Sequence, residues 1–165
     1  MISLIDDIIT TLQDDRSSRI DDALQNTGFL FEKAHGAGAH LSATEQANQF
    51  AWTPEVIACA ISASDVVRLR DALITFLRIR PPTTALVAAL WALSKLADTT
   101  TKPILIQTLH DVVDAAPEPL FQAMIALANI GEDVFGSHQS MSVLAVEENR
   151  TLAAAYLQRQ ESLDR

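Results

Sequence analysis

Apolar residues recur along the chain at intervals of three and four, and no segment sustains the apolar–polar alternation of a half-buried strand. The opening MISLIDDIITTL has the spacing of a short apolar helix from Met1 to Leu12, closed by Asp14–Asp15. Ser17 or Ser18 can cap a second helix carrying Ile20, Leu24 and Phe29–Phe31. Gly28 is a candidate break within it, since glycine costs a helix interior about 1 kcal/mol relative to alanine. The run His35–Gly36–Ala37–Gly38–Ala39–His40 predicts a loop. Thr53–Pro54–Glu55 predicts a helix start: a capping hydroxyl, a proline in the first turn and an acid at the positive dipole end.

Ser64–Asp65 opens a longer helix to about Ile79, in which Arg68, Asp71, Thr75 and Arg78 form a polar stripe and Val67, Leu73, Phe76 and Leu77 face the core. Pro81–Pro82 stops it. Ala85 to Ala97 is apolar nearly all round and predicts a central buried helix. Thr101 and Pro103 begin the next, with Ile104, Leu105, Leu109, Val112 and Val113 inward and Gln107, His110, Asp111 and Asp114 outward. Pro117–Pro119 start another, which Gly131 ends as a left-handed residue. Beyond a loop at Gly136–Ser140, a last helix runs through Leu152, Ala155 and Tyr156 to near Ser162. The pattern predicts an all-α protein.

A shift of 34 residues lays Ala85–Asp98 (ALVAALWALSKLAD) on Pro119–Glu132 (PLFQAMIALANIGE). Leu86/Leu120, Ala89/Ala123, Ala92/Ala126 and Leu93/Leu127 are then identical, while Leu90/Met124, Leu96/Ile130 and Asp98/Glu132 match in kind. A period of that size suggests stacked helical hairpins, each burying its apolar face on the next. The segment ALWALSKLAD–TTTKPILIQTLHDVV, followed by FQAMIALANIGED, resembles HEAT-type helical repeats. The tail VEENRTLAAAYLQ is similar to the closing helix of small bacterial HEAT-like proteins, several of which are immunity proteins that neutralise a cognate toxin. The likeness covers about residues 65–160; residues 1–50 show no repeat, and Ala97 replaces the usual turn glycine. It implies a short HEAT-like α-solenoid within a single all-helical domain, 1–165, with N-terminal helices over 1–62 as a cap and repeats over 63–165.

Composition sharpens this. The 165 residues suffice for one domain with a real core, and 5 glycines and 6 prolines are too few for a collagen-like or low-complexity chain. The longest uninterrupted apolar run, Ala85 to Leu93, is far short of a membrane span, and Asp6–Asp7 stand where a secretory signal would carry Lys or Arg. A cytoplasmic location is expected. The net charge of -9 is unevenly placed: residues 1–62 carry -6, residues 63–102 carry +3 and residues 103–165 carry -6. Such a balance opposes phosphate-backbone binding, so no nucleic acid is expected, and it suits a protein partner with a basic surface.

The candidates for chemistry are few. Cys59 is the single cysteine, so no intramolecular disulfide forms, and its place in an apolar helix over Val56–Ile61 predicts a core thiol rather than a nucleophile. Glu32-Lys-Ala-His35 has the Glu-x-x-His spacing of a metal ligand pair, but di-iron bundles need a second copy and two further glutamates, which are missing. His35 and His40 read as surface histidines. The doublets Asp6–Asp7, Asp14–Asp15 and Asp21–Asp22 could bind magnesium in a helical hydrolase; a solvated acidic face explains them better. Arg68, Arg70, Arg78 and Arg80 are expected to bridge to the acidic ends. A G-x-S-x-G elbow and a Walker A loop are both absent, and Gly36-Ala-Gly38 lacks the third glycine of a dinucleotide motif.

The expectation is therefore a non-enzymatic protein-binding module without a cofactor or metal, an acidic immunity-type inhibitor that occludes a basic toxin or effector. Gln107, His110, Asp111 and Asp114, with Glu147 and Glu148, are the candidate partner-binding residues. The alternatives are a structural scaffold, monomer or homodimer with Ala85–Leu93 at the dimer contact, and a metal-dependent hydrolase using Asp14, Asp15, Asp21 and Asp22.

Overall fold

The computed structural model describes residues 2–14, 16–79, 81–136, 142–163 and 165. Asp15 and Arg80 lie outside them, as does most of the loop expected at Gly136–Ser140. Among the described residues there are nine α-helices, one short 3-10 turn and no strand, and no helix is long and apolar enough to cross a membrane. The chain divides into two compact units, Met1–Arg80 and Pro81–Arg165.

The first unit holds α1 (Leu4–Gln13), α2 (Ile20–Ala34), α3 (Ala43–Phe50), α4 (Pro54–Ala58) and α5 (Ala63–Arg78). Ser3 caps α1 by accepting from the Asp6 amide, and α1 packs its buried Ile5, Ile8 and Leu12 against α2 and α5. Gly28 does not break α2. The helix runs through it, because burying Leu24, Phe29, Leu30 and Phe31 outweighs one glycine's propensity cost of about 1 kcal/mol. In α5 the inward stripe is Leu69, Leu73, Phe76 and Leu77, while Val67 is 44% exposed. Val67 precedes Leu69 by two residues, about 200° around the helix, so it cannot share that face.

Helix α3 carries no buried residue, which is why apolar spacing does not reveal it. Its start is a reciprocal capping box between Ser42 and Glu45. Thr53 caps α4 as its sequence implies, but α4 ends at Ala58 and Cys59 follows in extended conformation at its C-cap. Cys59 is thus half-buried rather than in a helical core, and burial pushes its thiol above the ordinary range.

The second unit holds α6 (Thr83–Leu96), the 3-10 turn Thr99–Thr101, α7 (Lys102–Val112), α8 (Pro117–Asn129) and α9 (Val146–Leu163). Helix α8 packs against α6, α7 and α9, and α7 also meets α9. Ala89, Leu90, Ala92 and Leu93 of α6 are fully buried, as are Leu120, Ala123, Met124, Ala126 and Leu127 of α8. The 34-residue offset maps Thr83, the start of α6, onto Pro117, the start of α8. It also maps Ala97 onto Gly131, and both residues are left-handed (φ 50° and 91°). At the α8 end, the Glu132 amide donates to Leu127 O (3.1 Å) and the Gly131 amide to Ala128 O (3.0 Å), the two bonds of a Schellman turn. The second halves do not align because residues 97–101 separate α6 from α7 whereas residues 130–145 separate α8 from α9.

Candidate functional site

The expected partner-binding residues all lie in the second unit, and all six are exposed. Ile104, Leu105, Thr108, Leu109 and Val112 fill the buried side of α7, which leaves Gln107, His110 and Asp111 on its open side. Asp114 follows in the turn after α7. Asp111 and Asp114 therefore sit at the negative end of the helix dipole, where a carboxylate costs roughly 0.3–1 kcal/mol. Helix formation gives no reason for acids there. Glu147 and Glu148 stand instead in the first turn of α9, at the favourable positive end.

Arg150 joins the two groups. Its Nη1 donates to Glu147 Oε1 at 2.7 Å and its Nη2 to the carbonyl of Ala115 at 3.3 Å, the residue after Asp114. The pattern reading passed over Arg150, although the Glu147–Arg150 spacing of three along a helix is the available signal. Further along, His110 Nε2 lies 3.8 Å from Glu161 Oε1 on α9. The acidic face thus spans α7, the turn after it and α9.

A polar clamp fixes α9 relative to the start of α7. The buried Tyr156 hydroxyl donates to Glu132 Oε2 at 2.7 Å, and Lys102 Nζ lies 2.9 Å from Glu132 Oε1. Arg159 donates to Asp133 O at 2.8 Å and stands over the Tyr156 ring. Burial pushes the Glu132 carboxyl up, but Lys102 and Tyr156 outweigh it and hold the group below its ordinary 4.5. Burial and the adjacent Glu132 push the Tyr156 hydroxyl well above its ordinary 10.0. The lowered Glu132 value stabilises the fold above about pH 4.5 and is lost on acidification; the raised Tyr156 value stabilises it below about pH 10 and is lost as pH rises further. Thermal midpoints across pH should therefore fall less steeply on the acid side in Glu132→Gln, and less steeply on the alkaline side in Tyr156→Phe. Parallel profiles for wild type and both variants would remove the clamp from the stability of this unit.

Several of the other candidates make structural bonds. Glu32 accepts from the Trp52 indole at 3.2 Å, and Lys33, between Glu32 and His35, donates to three backbone carbonyls. His35 is the exposed C-cap of α2 and His40 an exposed turn residue. Asp6 bonds Arg68 at 2.5 Å and Ser3 at 2.7 Å, which holds its carboxyl below the usual range. Asp7 bonds Arg19 at 2.7 Å. Asp14 accepts from the Arg16 amide, and Asp21 and Asp22 occupy the first turn of α2. Among the described residues no group of three or more His, Cys, Asp or Glu is placed to hold a metal ion. Arg68 also reaches Asp65 at 3.4 Å, Arg70 pairs with Asp71 at 2.9 Å, and Arg78 is exposed. Comparison of the chain with protein-family models, with curated proteins and with solved structures finds no match.

Proposed function

We propose that the chain is a non-enzymatic protein-binding module, an acidic inhibitor of the immunity type whose α7–α9 face covers a basic toxin or effector. The observation that carries this reading is the pair Asp111 and Asp114, exposed at the end of α7 where the helix dipole disfavours them. Carboxylates placed where the helix dipole opposes them, and exposed to solvent, are expected where a charged partner docks. Glu147 and Glu148, joined to the same neighbourhood through Arg150, extend the negative field that would steer a basic partner.

A HEAT-like stack is the architecture proposed for this unit. In it α6 and α8 are equivalent helices of successive repeats, supported by their shared starts and left-handed ends, and α7 and α9 are the second helices that present the binding ridge. The test is the kinetics of a purified partner against Asp111→Lys/Asp114→Lys. Association should slow about tenfold at low salt, and the difference should shrink at high salt. Equal on-rates and affinities for the double variant and wild type would take these residues out of the site.

A further inference from the structure

We infer that Leu144 is the apolar anchor of this face, a knob that enters an apolar socket rimmed by Lys and Arg on the partner protein. The inference rests on the protein-binding reading above. A single leucine on a surface ordinarily carries no signal, and three observations set this one apart. Leu144 is 87% exposed, the highest value among the large apolar side chains of the described residues.

The turn beneath it is fixed. Asn149, 3% exposed, donates its Nδ2 to Ser142 O at 2.9 Å; the Ala145 amide donates to the same carbonyl at 3.2 Å, and the Leu144 amide to Ser142 Oγ at 3.2 Å. The leucine is also without the contact its position usually provides. The Asn149 amide bonds Ala145 O at 2.9 Å, so Ala145 is the N-cap of α9 and Leu144 the residue before it. An apolar side chain there commonly folds onto the fourth helical residue. Here that residue is Asn149, turned inward to hold Ser142.

Glu147 and Glu148 follow the turn directly, in the first turn of α9, and Arg150 joins Glu147 to Ala115 O, next to Asp114. An apolar side chain carried on a pinned turn beside acidic residues has the make-up of an interface hot spot, because little backbone entropy remains to be lost on binding. The acidic rim selects a socket with a basic edge over an apolar or acidic one.

The experiment uses the full tagged chain to capture its partner from native lysate at low salt. The captured protein is then purified, and its binding kinetics are followed by surface plasmon resonance on wild type, Leu144→Ala and Asp111→Lys/Asp114→Lys. Leu144→Ala should dissociate about tenfold faster or more, with its association rate and salt dependence unchanged. The double variant should associate more slowly and dissociate at a similar rate. Faster dissociation of Leu144→Ala with an unaffected double variant keeps the anchor and removes Asp111 and Asp114 from its rim. Unchanged dissociation of Leu144→Ala beside slowed association of the double variant overturns the anchor and leaves the acidic face. Unchanged kinetics in both, or no protein captured by the wild-type chain, overturns both. Because Leu144 contributes nothing to the core, its alanine variant should keep the wild-type thermal midpoint, which checks that the kinetics report the interface.

Discussion

Replacing Lys33 with methionine should destabilise the first unit by about 3 kcal/mol while leaving its apolar stem packed. The reason lies in the length of α4. At five residues it cannot stand alone, and most of its carbonyls have no amide within the helix to bond. Lys33 supplies donors from α2: its Nζ donates to Ile57 O at 2.6 Å, to Cys59 O at 2.8 Å, and at 2.9 Å to Val56 O, which the Cys59 amide also bonds at 3.3 Å. A cation at a helix C-terminus also opposes the negative end of the dipole. Each charge-assisted bond is worth more than a neutral one, and removing the donor leaves partly buried carbonyls unsatisfied. Amide hydrogen exchange over residues 53–59, read with urea unfolding, checks this. Wild-type protection in Lys33→Met would show that α4 is held by its apolar contacts alone. Arginine should rescue only part of the loss, since a planar guanidinium cannot aim donors at three carbonyls as an ammonium does.

The second large effect is expected at Gly38, where alanine should cost about 3 kcal/mol. Its φ of 67° already disfavours an L side chain by about 1–2 kcal/mol. A Cβ there would also lie 3.1 Å from the Phe50 ring, 3.3 Å from Gln46 Cγ and 3.4 Å from the Trp52 ring. Phe50 and Trp52 are stacked at 4.7 Å, and Gln46 is tied to Gly38 O at 2.9 Å, so none of the three can yield freely. Gly36 provides the internal comparison: its φ is 86°, but nothing lies within 4 Å of its Cβ position. Gly36→Ala should therefore carry the backbone cost alone. Urea midpoints that fall equally in the two variants would mean that the Phe50–Trp52 stack moves aside without cost.

These two residues mark where pattern reading stops. Glu32-Lys-Ala-His35 has the spacing of a ligand pair, yet its glutamate meets an indole twenty residues on and its lysine meets carbonyls more than twenty residues on. Helical periodicity sees neighbours three and four residues apart and is blind to such partners. The same limit hid α3, whose exposed sequence leaves no apolar stripe and only the Ser42–Glu45 capping pair as a signal. It also extended the helix after Thr53 through Cys59, because an apolar run does not state where backbone donors run out.

The sequence by itself determined the all-helical class, the starts at Thr53 and Pro117, the left-handed end at Gly131 and the exposed side of α7. Those features follow from caps, prolines and 3.6-residue spacing, which act within a few residues. Tertiary structure alone decided that Gly28 stays helical, that Arg150 joins the turn after α7 to α9, and that Leu144 stands uncovered on a turn pinned by a buried asparagine. Each depends on which distant groups a side chain meets or fails to meet once the helices have packed, and the energy of those meetings exceeds the local preferences that a sequence displays.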